Sequence, residues 1–170
     1  MGRYRPPQPK SSPYITAEGF HKLQIEHDAL WTRRREVVRA LAAAAAEGDR
    51  SENAEYIYRK KELREIDRRV RYLQKRLPDL KVINTRPDDP RRIFFGAEVE
   101  LEDEHGAEMR CRIVGADEIE PAHNWISMDS PMARAMLGKA LDDEITVLTP
   151  TGAVAYLIVA IAYRPPVPAA

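Results

Sequence analysis

The sequence predicts an α+β protein: an N-terminal antiparallel α-helical coiled-coil hairpin, then a small antiparallel β-sheet domain with one helix. Three observations predict it. Apolar residues recur at alternating spacings of three and four between Phe20 and Leu77, the seam of a coiled coil. Gly48 interrupts that repeat near its middle. Beyond Pro78 the pattern changes to short period-two runs separated by turn residues.

The elements follow in order. Residues 1–13 hold Pro6, Pro7, Pro9 and Pro13 with three basic residues, the composition of a disordered basic arm. Thr16 suits an N-cap, and Glu18 places an anion in the first turn, where the helix dipole favours it. The hairpin is expected over 14–78. Its first seam is Phe20, Leu23, His27, Leu30, Arg34, Val37, Leu41 and Ala44; its second is Tyr56, Arg59, Leu63, Ile66, Val70, Leu73 and Leu77. Between them Gly48 breaks the first helix, Asp49 or Ser51 can cap the second, and Ser51-Glu52 opens it. So short a link forces the helices antiparallel, and each arm of about 28 residues reaches roughly 40 Å at ~1.5 Å per residue. The run Ala42 to Ala46 makes the hairpin end thin, or is simple helix filler. Pro78 should end the second helix, and 79–92 reads as a polar linker.

The C-terminal domain is expected over 93–164. Ala97 to Glu102 alternates as a half-buried strand does, Glu104-His105-Gly106 turns, and Met109 to Val114 pairs back. Trp125 to Met128 is a third strand. Ser130 caps a short helix over 131–137 with Pro131 at its first position, and Gly138 stops it. Glu144 to Leu148 and Val154 to Tyr163 form a closing hairpin, and a proline-rich exposed tail covers 165–170.

The chain of 170 residues has 27 basic and 27 acidic residues, yet the balance is uneven. Residues 1–78 hold 18 Lys+Arg against 11 Asp+Glu; the remainder hold 9 against 16. Two opposed halves point to two parts with different partners. One cysteine excludes an internal disulfide and a Cys-based zinc site. The start has no apolar leader segment, and the longest apolar run, Ala153 to Tyr163, is short of the ~20 residues a spanning helix needs. The expectation is a cytoplasmic chain without a membrane partner.

Two features carry candidate chemistry. At the hairpin tip Asp49, Glu52 and Glu55 are spaced by three, near one helical face. Acids there stabilise a helix start, by ~0.3–1 kcal/mol each. They could also offer oxygen ligands to Mg²⁺, which takes one or two carboxylates and fills its shell with water and phosphate. Two carboxylates are too few for a tight isolated site, so such a tip would hold metal only where another macromolecule completes the shell. Arg50 between them is a solvated residue or a phosphate contact. The second feature is a basic helix containing Arg59, Lys60, Lys61, Arg64, Arg68, Arg71 and Lys75; Arg64, Arg68, Arg71 and Lys75 fall on one stripe. Such a stripe is a solvated face or a contact to an RNA or DNA backbone. Glu62, Glu65 and Asp67 partly neutralise it. His27 reads as a packed seam residue and Cys111 as a buried apolar one. No Gly-rich phosphate loop, nucleophile elbow or zinc motif is present, so a self-contained enzyme is not indicated.

The segment Gly48-Asp49-Arg50-Ser51-Glu52-Asn53-Ala54-Glu55-Tyr56 resembles the tip signature of the bacterial Gre transcript-cleavage factors, and Leu63 to Leu73 with Lys75-Arg76-Leu77 is similar to the GreB type. Phe94-Phe95-Gly96-Ala97, Arg112-Ile113-Val114-Gly115 and Asp129-Ser130-Pro131-Met132-Ala133-Arg134-Ala135 resemble that type's C-terminal domain. The resemblance covers about residues 13–164. It implies an FKBP-like C-terminal fold and a monomeric elongation factor whose coiled coil enters the secondary channel of RNA polymerase. There it would stimulate the polymerase's own hydrolysis of backtracked nascent RNA. By the same resemblance Asp49 and Glu52 share a Mg²⁺ with the polymerase active site, and Arg50, Ser51, Asn53, Glu55 and Tyr56 support the tip. The basic residues Arg59, Lys60, Arg64, Arg68, Arg71 and Lys75 guide the RNA 3′ end or grip the channel, and Ser130 and Pro131 face polymerase. Two other functions remain in view at this level: an inhibitory channel-binding relative and, from the FKBP-like half, a prolyl isomerase.

Overall fold

The computed structural model describes residues 10–46 and 53–168. The chain divides into two compact units: Phe20–Leu80, and the residues up to Gly19 together with those from Lys81 onward. Among the described residues no helix is long and apolar enough to cross a membrane.

The first unit is the hairpin. Helix α1 spans Ala17–Ala46 and α2 spans Ala54–Asp79. Thr16 starts α1 as expected: its Oγ1 accepts the Gly19 amide at 3.0 Å. The seam holds Val37, Ile66 and Val70 in one buried cluster, with Leu30, Trp31 and Leu63 against it. Leu23, Ala44 and Leu73 are also buried. The polar seam residue Arg34 and the positions flanking the seam pair across the helices. Arg34 donates to Asp67 at 2.7 Å, Arg33 to Glu62 at 2.8 Å, and Arg69 grips Glu26 with two bonds of 2.6 and 2.8 Å. Early residues of α1 thus meet late residues of α2, which is the antiparallel register. His27 is only half-buried; its Nε2 accepts the Trp31 indole N–H at 3.1 Å.

Two boundaries differ from the sequence reading. The N-cap of α2 is Asn53, whose side chain accepts the Tyr56 amide; the expected caps Asp49 and Ser51 lie outside the described residues. Asn is as good a cap as either, and α2 accordingly begins at Ala54. At the other end Pro78 sits inside the last turn, and the helix stops one residue later at Asp79, with Leu80 as extended C-cap.

The second unit contains a five-stranded sheet in the order β5-β4-β3-β7-β6. The strands are β3 (Ala97–Asp103), β4 (Glu108–Val114), β5 (Trp125–Ser127), β6 (Glu144–Thr149) and β7 (Gly152–Tyr163). In β3 the alternation is complete: Ala97, Val99 and Leu101 are fully buried, while Glu98, Glu100 and Glu102 face outward. Across the ladder Glu100 opposes and pairs with Arg110, while Arg112, opposite Glu98, is buried and Glu98 pairs instead with Arg164. Helix α3 (Pro131–Met136) turns Ala133 and Met136 into the core beside Ile93, Ile113 and Ile158. Tyr163 Oη accepts the Phe94 amide at 2.8 Å and donates to the Arg92 carbonyl at 2.6 Å, pinning the entry to the sheet. Cys111 is buried as expected, and burial pushes its thiol up to about 11.

The sheet is mixed rather than purely antiparallel. β5 runs parallel to β4, with Arg112 beside Trp125. The cause is the connection 115–124, too long for a hairpin: it folds through a 3₁₀ turn at Pro121–His123 and brings the chain back to Arg112, so that β5 runs alongside the last three residues of β4. The expected linker 79–92 also carries a strand, β2 (Lys81–Ile83), which pairs in parallel with β1 (Tyr14–Thr16). Three residues each are too few to show period two. The tail is tied as well, since Asn84 and Val167 exchange two bonds of 2.8 Å.

Where α1 starts, two carboxylates hold it. Glu118 is buried and accepts the Thr16 amide at 3.0 Å, the Gly115 amide at 2.9 Å and the Thr16 hydroxyl. Glycine is required beside it: a Cβ on Gly19 would lie 2.0 Å from Glu118 Oε1, and one on Gly115 would lie 2.3 Å from the Tyr14 carbonyl oxygen. Glu18, in the first turn, accepts from Arg112 at 3.0 Å and Arg164 at 3.3 Å. Burial alone would raise the Glu18 carboxyl, but the two guanidiniums outweigh it and hold it below its usual range.

Candidate functional site: the hairpin end and its basic face

Asp49, Arg50, Ser51 and Glu52 lie outside the described residues. What the structure describes is how the chain on either side of them is held. Asn53 makes two bonds in opposite directions. Its Oδ1 accepts the Tyr56 amide at 3.1 Å, closing the first turn of α2. Its Nδ2 donates to the Ala44 carbonyl at 2.9 Å, near the end of α1. One side chain therefore caps one helix and ties it to the other. The alanine run allows this: Ala44 is buried and adds no bulk that would separate the helices.

Glu55 is the acid of the first turn of α2. Its carboxylate takes the Arg59 Nε–H at 2.7 Å, and Arg59 also donates to Glu62 at 3.1 Å. Glu62 in turn receives Arg33 from α1. Burial alone would raise the Glu62 carboxyl, but the bonds from Arg33 and Arg59 dominate and hold it low. The bonds it donates to Glu55 and Glu62 hold the Arg59 guanidinium above its ordinary value. Glu55 is thus committed to a guanidinium. Among the described residues no group of three His, Cys, Asp or Glu side chains could hold a metal ion. Tyr56 is half-buried, with the Lys60 ammonium 5.5 Å from its ring centre.

The basic residues separate into two sets. Arg59 is half-buried in the network just described, on the seam side. Arg64, Arg68, Arg71 and Lys75 are all exposed and form one outward line. Arg71 donates to the Asp67 carbonyl one turn back, which extends its side chain along the helix. Lys61 is also exposed and continues the line towards the tip, three residues before Arg64. The acids expected to neutralise the line mostly face elsewhere, because Glu62 and Asp67 are turned to Arg33 and Arg34. Sequence spacing did not reveal that diversion, since it depends on what α1 presents opposite.

Ser130 and Pro131 begin α3. Ser130 Oγ accepts the Ala133 amide at 3.1 Å, and Pro131 occupies the first turn with its surface exposed. Asp129, next to them, accepts the Ser12 amide at 2.8 Å and the Ser12 hydroxyl. The structure thus shows a structural duty for Ser130 and a surface position for Pro131.

Comparison with known proteins is consistent across the chain. The family model described as transcription elongation factor, N-terminal, matches residues 13–82, and the GreA/GreB C-terminal model matches residues 87–163. A transcription elongation factor GreB of Xanthomonas axonopodis is 58% identical over 165 residues, covering 96% of this chain and 98% of that protein. One of Pseudomonas aeruginosa is 56% identical, covering 97% and 99%. Among solved structures, GreA factor homolog 1 of Thermus thermophilus is 25% identical, covers 88% of this chain and 97% of its own, and has a TM-score of 0.40.

Proposed function

The chain belongs to the GreA/GreB family of transcription elongation factors, and from that premise we propose that it inserts its hairpin into the secondary channel of RNA polymerase and stimulates cleavage of backtracked nascent RNA. The observation that carries this reading is the hairpin itself: a cross-tied end next to Asp49 and Glu52, above an exposed cationic line. The protein acts as a monomer in the cytoplasm and is a cofactor to the polymerase active site, not an enzyme alone.

Asp49 and Glu52 supply two hard oxygen donors, which suits Mg²⁺ and is too few to hold it unaided. Held by these carboxylates together with polymerase, Mg²⁺ would supply the acidity that makes a water nucleophilic towards a phosphodiester. The chain's own contribution is positioning. Asn53 ties the two helices of the hairpin together next in sequence to the acidic segment, so that segment is carried on a fixed base. The line from Lys61 to Lys75 offers a salt-sensitive track for extruded RNA phosphates. Pro131 and the exposed face of α3 contact the polymerase outside the channel.

The test is transcript cleavage in a stalled, backtracked elongation complex. Asp49→Ala with Glu52→Ala should abolish stimulation while polymerase binding persists. Unchanged cleavage by the double variant would overturn the metal-tip reading.

A further inference from the structure

We propose that Tyr58, flanked by Ile57, is a stacking platform for the terminal base of extruded RNA just behind the acidic tip; this rests on the cleavage reading above. Ile57 is 54% exposed and Tyr58 is 58% exposed, only four and five residues beyond the Asn53 cap. Neither belongs to the seam, whose cluster is Val37, Ile66 and Val70. Ile is a mediocre helix former, so an exposed position gains nothing from it in helix stability.

Their surroundings say what kind of occupant fits. Ile57 heads the cationic line: Ile57, Lys61, Arg64, Arg68, Arg71 and Lys75 follow spacings of four and three and lie on one exposed face. The Arg59 guanidinium lies over the Tyr58 ring, 5.4 Å from its centre, and is itself fixed by Glu55 and Glu62. The Tyr58 ring stands one residue, about 100° round the helix, from the head of that line, and an exposed aromatic ring braced by a cation beside a phosphate-attracting track is the composition of a single-strand nucleic-acid site. Two side chains are far too small a patch for a stable protein interface, which needs ~800 Å² per partner. One nucleobase is of the right size.

The test uses backtracked complexes whose RNA ends either in a normal nucleotide or in an abasic ribonucleotide. Cleavage is measured at saturating factor, with polymerase affinity and helicity recorded for each variant. On the normal end Tyr58→Ala should cut about ten-fold more slowly than wild type, within the range of one lost base–aromatic stack, and Tyr58→Phe should keep the wild-type rate. On the abasic end wild type and Tyr58→Ala should cut equally. An equal loss on both RNAs would overturn the proposal in favour of a contact to polymerase, and no loss on either would also overturn it. Failure of the wild type to cleave either RNA would instead remove the cleavage reading on which the platform rests.

Discussion

Asn53→Ala should loosen the hairpin end without disturbing the rest of the molecule. The substitution removes two bonds at once. The cap to the Tyr56 amide is worth about 1 kcal/mol. The cross-hairpin bond to Ala44 O is part-buried and worth about 1 kcal/mol. Together they stabilise the local closed state by about 2 kcal/mol, roughly thirty-fold in the opening equilibrium. The assay is amide hydrogen exchange at the start of α2. Tyr56 and Ile57 should lose about thirty-fold in protection, whereas Val99 and Ile158 in the sheet core should not change. Asn53→Asp separates the two bonds: it keeps an acceptor for the Tyr56 amide and cannot donate to Ala44 O, so it should lose about half the effect in free energy. Unchanged protection at Tyr56 in Asn53→Ala would refute the reasoning, because neither bond would then be holding the end. If protection falls while RNA cleavage stays at the wild-type rate, the tie is structural and does not position the acids.

Three further outcomes follow from the geometry. Glu118→Ala leaves the buried Thr16 and Gly115 amides without their carboxylate and should lower stability by about 3 kcal/mol in denaturant unfolding; a change under about 0.5 kcal/mol would show that water replaces it. The Glu18 carboxyl is held below its ordinary 4.5 by Arg112 and Arg164, against the cost of its burial, so its stabilisation is present above about pH 4.5 and is lost as pH falls below that. Wild type and Glu18→Gln should therefore differ in stability at pH 6 and converge near pH 3, and a gap that persists at pH 3 would contradict the ion pair as its source. Arg64→Glu with Arg68→Glu, both on the exposed line, should slow cleavage of long extruded RNA more than short; equal slowing would assign the line to polymerase.

Much of the fold was legible because it follows from single-strand or single-helix patterns. The 3-4 spacing that includes Val37 in α1 and Ile66 and Val70 in α2, and the alternation of Val99 and Leu101 in β3, each report a buried face, and these residues are buried. What stayed hidden depends on partners far away in sequence. The parallel pairing of Ile15 with Val82 joins three-residue strands with no periodicity of their own. Glu118 reads as one acid in a loop, and only its contact with Thr16, 102 residues earlier, makes it an anchor. At the tip the signal for Asn53 was available, since Asn ranks with Asp and Ser as a cap. The sequence reading offered Asp49 or Ser51, and what singles out Asn53 is the Tyr56 amide on its side chain.

Inter-helix pairing also changes how the charge of the hairpin should be read. By composition, Glu62, Glu65 and Asp67 offset the cations among which they lie in sequence. In the structure Asp67 is spent on Arg34 of the opposite helix, and Glu62 is shared between Arg33 of that helix and Arg59 on the seam side of its own. The pairing neutralises the seam and leaves Lys61, Arg64, Arg68, Arg71 and Lys75 on the outer face with only Glu65 exposed between them. The same bonds that hold the helices together therefore polarise the hairpin, with neutral pairs inside and cations outside. A coiled coil closed by apolar contacts alone would leave those acids beside the cationic line. Replacing Arg34 with Leu should then cost little seam packing, yet release Asp67 towards the outer face, whereas Glu62 keeps Arg59 even without Arg33. The salt dependence of RNA binding should flatten, because fewer net phosphate contacts survive. An unchanged salt slope would mean that Asp67 reaches neither the line nor the RNA.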